Sequence, residues 1–502
     1  MIEINENKFL KYASKETLDK IVKFPSISHM WENCVSQYGD LPAVEDGEKY
    51  TFSQLNKDVA SLRTILKEKG VKPGDKVGLF MPNSYEFIKT YLAVTTSGAV
   101  AALLPVHLDQ KSVYGLSMMF GLTAVIYADS TKEQTILVSQ LNPGVALISS
   151  DEKSDTLTPA FYNEEKDPCS ILFTGGTSGK SKGALLSHGN IMAGTINGCY
   201  GYPEVFNQRY FLILPLTHVF GLIRNCLTSL YTGSCLYICH NPKDMFKIMP
   251  VYKPTILILV PALAEMALNL SKQIGPHILG GQLKTIICGA AQVPPHLVNE
   301  YSEMGVDLLP GYGLTESSNL VSGNPEAKRK PDSVGLPYPG QKFRLENGEL
   351  WIKGDNMMMG YVGAPEETEK AYEDGWFKTG DLVRFDEEGY MYIVGRIKDV
   401  IVLPTGENIS PEELEAKFCQ LDFIQDAMVR TDTENGTQVL VLEVVPRAGE
   451  MAKLPAEDKV SYMKEELGKI NHTLPAFQRV SKIIIRDSDF ERTPAMKKVR
   501  PK

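Results

Sequence analysis

Over about its first 390 residues the chain alternates short β-rich runs with stretches of helical spacing, and this rhythm restricts the fold more than any other feature. Strand candidates are Lys76-Val-Gly-Leu-Phe-Met81, Ala124-Val-Ile-Tyr127, Cys169-Ser-Ile-Leu-Phe173, Tyr210-Phe-Leu-Ile-Leu214, Ser234-Cys-Leu-Tyr-Ile-Cys239, Ile256-Leu-Ile-Leu-Val260 and Thr285-Ile-Ile-Cys288. Residues 53–68 and 86–94 carry helical spacing. Apolar strands separated by helices bury both faces only in parallel-rich sheets covered by those helices. In such folds ligands sit at the carboxyl ends of the strands.

The pattern changes after Gly395. Ser410-Pro411-Glu412-Glu413 reads as a helix start, with a serine cap, proline at the first helical position and a glutamate to close a capping box. A strand at 439–445, a helix from about 456 to 470 and a strand at 482–485 follow. The expected architecture is α/β: a large multi-layer N-terminal domain over 1–395, a hinge at 396–400, and a small α+β domain over 401–502. A length of 502 residues agrees with more than one core.

The net charge of −9 gives no basic footprint for nucleic acid. The eight cysteines contain no CxxC pair, and scattered thiols suit a reducing compartment. Cys235, Cys239 and His240 read as part of a buried strand rather than a metal site. The N-terminus lacks the apolar core of a signal peptide, and the greasiest stretch, 255–264, is too short for a membrane span. A cytoplasmic location is expected.

The strongest single motif is Ile171-Leu-Phe-Thr-Gly-Gly-Thr-Ser-Gly-Lys-Ser-Lys-Gly183. An apolar strand runs into a loop of glycines, hydroxyls and two lysines. Glycines let backbone N–H groups turn inward, and with hydroxyls and lysine charge they suit polyphosphate. The P-loop pattern fails by one residue, because Thr174 stands five positions before Gly179. No GxGxxG follows a strand, so a nicotinamide cofactor has no support.

The segment from Phe173 to Gly183 resembles the phosphate loop of the adenylate-forming (AMP-binding) enzymes, most like the acyl-CoA synthetases and fatty-acid–CoA ligases. Gly175 stands where serine is common there, and Ser181 where proline is. Further segments resemble the family's motifs in the family's order. Leu214-Pro-Leu-Thr-His-Val-Phe-Gly-Leu222 resembles the acyl-site motif, with His218 lining that site. Amino-acid-activating members carry an aspartate at the position of Val219. A buried ammonium without such a partner is costly, so an amino-acid substrate is disfavoured. Cys288-Gly-Ala-Ala-Gln-Val-Pro294 resembles the segment that forms the other wall of the adenine and acyl sites, with Gly289 and Ala290 among the ATP-binding residues. Gly311-Tyr-Gly-Leu-Thr-Glu-Ser317 follows a strand-like run at 306–309 and resembles the adenine and metal motif.

The resemblance implies the following roles. Thr174, Gly175, Gly176, Thr177, Ser178, Gly179 and Lys182 hold the ATP phosphates. Tyr312 stacks on adenine beside Gly313, Thr315 bonds the α-phosphate, and Glu316 holds Mg²⁺. Gly375-Trp-Phe-Lys-Thr-Gly-Asp381 and Gly395-Arg-Ile-Lys-Asp399 resemble the ribose and hinge motifs, with Asp381 and Arg396 on ribose and Asp399 as the hinge. Gly406 belongs to the loop that the CoA arm passes, where Thr405 replaces a family glycine. Phe490-Glu-Arg-Thr-Pro-Ala-Met-Lys-Lys-Val-Arg500 resembles the terminal motif, placing the catalytic lysine at Lys497, with Lys498 the lesser alternative. Thr174, His218, Glu316 and Lys497 are the expected catalytic group.

The implied reaction joins a carboxylic acid, fatty or otherwise apolar, to the thiol of CoA through acyl-AMP, with Mg²⁺ accompanying ATP. Two other readings remain open. One is a stand-alone adenylation enzyme loading the phosphopantetheine of an acyl carrier protein. The other is a catalytically silent nucleotide-binding regulator.

Overall fold

The computed structural model describes residues 2–4, 8–174, 182–200, 204–403, 407–434, 437–455, 458–492 and 498–500. Gly175, Gly176, Thr177, Ser178, Gly179, Gly406 and Lys497 lie outside the described residues.

Among the described residues, two large sheets dominate. The nine-stranded sheet runs Leu336–Pro337, Asn319–Gly323, Asp307–Leu314, Thr285–Cys288, Ile256–Leu259, Arg209–Leu212, Cys235–Ile238, Pro42–Asp46, Glu48–Thr51. Its interior, from Asp307–Leu314 to Pro42–Asp46, is wholly parallel. The seven-stranded sheet runs Gly360–Tyr361, Gly183–Ser187, Pro168–Phe173, Val100–Leu103, Lys76–Phe80, Leu122–Tyr127, Ala146–Ser149. It is parallel except at the Gly183–Ser187 and Gly360–Tyr361 edge. Ile256, Leu257, Ile258 and Leu259 are all buried, as strands covered on both faces require. Each such side chain contributes on the order of 1.5–3 kcal/mol. The helix Phe52–Glu68 starts from a reciprocal Thr51–Gln54 capping box.

Several sequence expectations need adjustment. The strand read at 210–214 ends at Leu212, because the backbone beyond it turns away to other partners. The strand read at 306–309 continues to Leu314, so Tyr312 and Gly313 are strand residues. Their partner is the antiparallel strand Asn319–Gly323, with a register shift between Tyr312 and Gly313. A separate six-stranded antiparallel sheet, built mainly from residues 342–396, was not anticipated. Its tight turns use Asn347-Gly348 and Asp374-Gly375, where all four residues have positive φ.

The C-terminal part has a core of its own, around Phe418, Ile424, Leu442, Val444, Met463 and Leu467. Its three-stranded sheet joins Ile424–Glu434, Thr437–Pro446 and Lys482–Ile485. The helix expected from 456 is Lys459–Thr473, capped by Asp458. Pro411–Phe418 begins as expected with Ser410 and Pro411, but Glu413 pairs with Lys417 at 3.2 Å rather than closing the box. Ser410 Oγ also donates to the Val394 carbonyl at 2.5 Å, seating this helix on the strand Met391–Arg396. No helix among the described residues is long and apolar enough to cross a membrane.

Candidate active site

The carboxyl ends of the central strands of both sheets gather the chemistry, as the fold type requires. The neck of the glycine-rich loop is closed by the Thr174 N–H donating to the Lys182 carbonyl at 2.9 Å. Thr174 is buried there. The Lys182 ammonium lies 4.8 Å from the centre of the Tyr361 ring. The Tyr361 hydroxyl donates to Glu316 Oε1 at 2.8 Å. Burial, and then the Glu316 charge, push the Tyr361 phenol far above its ordinary pKa, so it stays a donor. Tyr361 thereby links residues from distant segments, with Lys182 over its ring and Glu316 on its hydroxyl.

Glu316 stands in the short 3-10 turn Thr315–Ser317 that ends the Asp307–Leu314 strand. Its carbonyl accepts from the Met358 N–H at 2.8 Å, and Asn356 Nδ2 donates to the Ser317 carbonyl at 2.6 Å. Thr315 is buried in the same turn. The turn is held from below, which aims the carboxylate. Tyr361 takes only one of its oxygens. A single carboxylate of this kind fits hard Mg²⁺ shared with phosphate oxygens.

A second group forms across the antiparallel pair Trp376–Phe385 and Met391–Arg396, where Asp381 stands directly opposite Arg396. Arg396 Nε is 2.7 Å from Asp381 Oδ1, and the Tyr312 hydroxyl donates to Asp381 Oδ2 at 2.5 Å. The carboxylate is only 2% exposed. Burial opposes the Arg396 charge, but Asp381 outweighs it and raises the arginine pKa. Burial and the Asp381 charge hold the Tyr312 phenol neutral. Next to it Asp399 closes the 3-10 turn Ile397–Asp399, half-buried. Burial, and then Arg396, lower the pKa of Lys398 in that turn.

The third group is a wall of close backbone contacts. A Cβ on Gly289 would lie 3.0 Å from the Gly311 carbonyl oxygen and 3.5 Å from Phe220 Cζ. A Cβ on Gly313 would lie 2.2 Å from the Asn319 carbonyl oxygen, so that glycine is sterically required. Ala290 holds a left-handed φ of 66°, an uncommon conformation for a residue with a side chain. His218 is half-buried in the turn before this wall, its N–H donating to the Pro215 carbonyl at 3.1 Å. From Phe220 to Leu227 the chain winds as a π-helix, a form that recurs at functional sites.

The structure thus brings together Tyr312, Asp381 and Arg396 and, separately, sets Lys182 and Glu316 on either side of Tyr361. It sets Gly289 beside Phe220, two residues past His218. Tyr361, and Asn83, whose amide bonds the Leu214 carbonyl and the Leu216 N–H ahead of His218, escaped the sequence reading. Tyr361 lies in a two-residue edge strand with no motif around it. Asn83 offered only the signal of a Pro-Asn pair at the end of an apolar run. Lys498 is committed elsewhere: its ammonium is 2.8 Å from Asp426 Oδ1 and 3.2 Å from Glu415 Oε2. Burial works against its charge, but those carboxylates outweigh it and raise its pKa.

Comparison with known proteins agrees in family and in fold. A family model described as AMP-binding enzyme matches residues 31–362, and one described as AMP-binding enzyme C-terminal domain matches residues 398–502. A feruloyl-CoA synthase from Amycolatopsis sp is 30% identical over 387 residues, covering 74% of this chain and 78% of that protein. A long-chain-fatty-acid–CoA ligase from Yersinia pestis is 28% identical over 454 residues, covering 78% of this chain and 80% of that one. Among solved structures, an anthranilate CoA ligase in complex with anthranoyl-AMP superposes with a TM-score of 0.85 at 19% identity, covering 96% of this chain and 97% of that one.

Proposed function

The chain belongs to the AMP-binding enzyme family, and from that premise we propose that it joins an apolar carboxylic acid to CoA in two steps through acyl-AMP. The observation that carries the reading is the Tyr312–Asp381–Arg396 group. A buried carboxylate held by a tyrosine and an arginine, beside a wall of glycines, suits the ribose and base of a nucleotide. Val219 and Phe220, both buried, support an apolar acid over an amino acid.

In the first step the substrate carboxylate attacks the α-phosphorus of ATP, and pyrophosphate leaves. The attacking oxygen is already anionic, so no base is needed, and positioning with charge stabilisation does the work. Asp381 accepts from the ribose hydroxyls, and Arg396 fixes the carboxylate that does so. Tyr312 offers its ring to adenine while its hydroxyl stays on Asp381. Thr174 and Lys182, at the neck of the phosphate loop, face the polyphosphate, and Thr315 bonds the α-phosphate. Glu316, oriented by Tyr361, would hold the Mg²⁺ that accompanies ATP, and the ion when bound would screen the phosphate charge. Lys497 neutralises charge between acid and phosphate. The engagement of Lys498 with Asp426 and Glu415 supports Lys497 over its neighbour for this role.

In the second step the CoA thiol attacks the acyl carbon of acyl-AMP and AMP leaves. Lys497 must withdraw to admit the thiol, so residues 401–502 turn about the hinge at Asp399. Gly406 lies in the loop past which the CoA arm runs. The test is acid-dependent ATP–pyrophosphate exchange over a panel of fatty, aromatic and amino acids, followed by AMP release with and without CoA. Exchange with apolar acids and CoA-dependent AMP release are expected. Exchange without CoA turnover would replace CoA by a carrier protein, and no exchange with any acid would end the reading.

A further inference from the structure

Asn83 stands where the strand Lys76–Phe80 leaves the seven-stranded sheet, one residue before Ser84, which caps the helix Tyr85–Thr95 by accepting from the Phe87 N–H at 3.2 Å. Its backbone is therefore fixed on both sides. Its side chain reaches out of that sheet and holds the other one. Asn83 Nδ2 donates to the Leu214 carbonyl at 2.8 Å, and the Leu216 N–H donates to Asn83 Oδ1 at 2.8 Å. One amide thus satisfies an acceptor and a donor that flank Pro215, on a turn that has just left the strand Arg209–Leu212. Only a primary amide of this length presents both groups at once.

What this clamp holds is the His218 segment. The His218 N–H donates to the Pro215 carbonyl at 3.1 Å, and the Leu222 N–H donates to the His218 carbonyl at 2.8 Å. Gly221 lies so close beneath that a Cβ there would be 2.2 Å from the Pro215 oxygen. Phe220 then reaches the Gly289 wall. The turn is pinned above by Asn83 and below by Gly221, and His218 and Phe220 inherit their placement from it.

We infer that Asn83 is a positioning residue for the acid-binding side of the site, setting the His218–Phe220 segment against the nucleotide wall without itself touching substrate. The inference rests on the proposed function for the identity of the substrate, but not for the clamp. Asn83→Asp keeps the acceptor for Leu216 and turns the donor to Leu214 into a repelling oxygen. Asn83→Ala removes both.

The experiment pairs kinetics with amide hydrogen exchange. In ATP–pyrophosphate exchange both variants should raise the KM for the acid by roughly tenfold or more while the KM for ATP moves less than about twofold. A purely structural defect would lower the active fraction and move neither KM. Hydrogen exchange read by mass spectrometry should show lost protection in the peptide spanning 214–222, with peptides of the strand Lys76–Phe80 unchanged. If Asn83→Ala proves too unstable to purify, Asn83→Asp carries the test. Equal effects on both substrates, or unchanged protection at 214–222, overturns the inference. If the wild-type protein exchanges pyrophosphate with no acid, the functional reading falls, and the protection data alone decide whether Asn83 holds this turn.

Discussion

Asp381 offers the sharpest test of the nucleotide site, through Asp381→Asn. The carboxylate is 2% exposed and accepts from Tyr312 at 2.5 Å and from Arg396 at 2.7 Å. Asparagine has the same shape, and its oxygen can still accept from Arg396. Its amide nitrogen then faces Tyr312, whose hydroxyl can turn to accept. The geometry survives and the charge does not. A hydrogen bond to a charged group is worth about 1.5–3 kcal/mol and a neutral one about 0.5–1.5 kcal/mol, so two such bonds lose about 2 kcal/mol of folding stability. The nucleotide loses a carboxylate acceptor for its ribose hydroxyls, again about 1.5–3 kcal/mol, which is roughly a 10- to 150-fold weakening. Thermal or denaturant unfolding reads the first quantity. The KM for ATP in pyrophosphate exchange, with direct AMP binding, reads the second.

Tyr312→Phe separates the two effects. It removes one internal bond but leaves the charge and the aromatic ring, so its loss of ATP affinity should be several-fold at most. An Asp381→Asn enzyme with wild-type KM for ATP and only reduced stability would refute the reasoning. Asp381 would then be a strand-pairing residue that happens to lie near the cleft.

Lys497→Ala should lower adenylation by on the order of 10²–10³ while sparing thioester formation from supplied acyl-AMP. Lys498→Met should instead lose stability, by about 1–3 kcal/mol on denaturant unfolding, and keep most adenylation; a reversed pattern would exchange their roles. Asp399→Pro should trap residues 401–502 in one arrangement, so that adenylation survives while thioester formation falls, and an equal fall in both would remove the hinge assignment. His188 is fully buried, and burial lowers its pKa from 6.5 to about 4. The folded state thus refuses a proton that the unfolded chain accepts, and the stability this confers is full above pH 6.5 and shrinks as pH falls toward 4. The loss is roughly 2 kcal/mol by pH 5. Unfolding free energies of the wild type and His188→Gln should show a steeper acid slope in the wild type between those limits, and parallel slopes would contradict it.

What the sequence made readable was local. Thr285–Cys288 and Lys482–Ile485 are strands over the residues that their apolar runs suggested. The loop between Phe173 and Gly183 announced itself by glycine and lysine content. Asp381 and Arg396 stood out by motif, and antiparallel pairing places them opposite each other. What was hidden depends on partners remote in the chain. Gly311-Tyr312-Gly313 falls outside the strand-like run at 306–309 because glycine is a poor strand residue; the partner strand at Asn319–Gly323, packed too close for a Cβ on Gly313, makes it a strand. Tyr361 acquires meaning only through Glu316, 45 residues away, and Asn83 only through Leu214, 131 residues away. No periodicity encodes such separations.

The same distinction bears on the motion the reaction needs. Among the described residues, two hydrogen-bonded ties join residues after the proposed hinge to residues before it. One, Ser410 on the Val394 carbonyl, lies beside the hinge and can persist through a rotation. The other is remote: Arg447 Nη2 is 2.8 Å from His296 Nε2, and Arg447 Nε is 3.3 Å from Glu265 Oε1. Burial pushes the Glu265 pKa up, but His296 and Arg447 outweigh it and hold the carboxylate ionised. The swing about Asp399 that we propose would break this second contact and return a buried guanidinium to water. Glu265 and His296 already pair at 2.6 Å, so neither would be left alone when it goes. Unlike a pair that strands a naked charge when it opens, this one would leave a bonded couple behind and a hydrated arginine departing, which lowers the cost of opening. An apolar interface at that place would cost more to open with every square ångström it covered. A charged contact whose opening leaves the carboxylate with its imidazole and the arginine with water suits a two-step ligation of the kind proposed, in which both halves share one cleft.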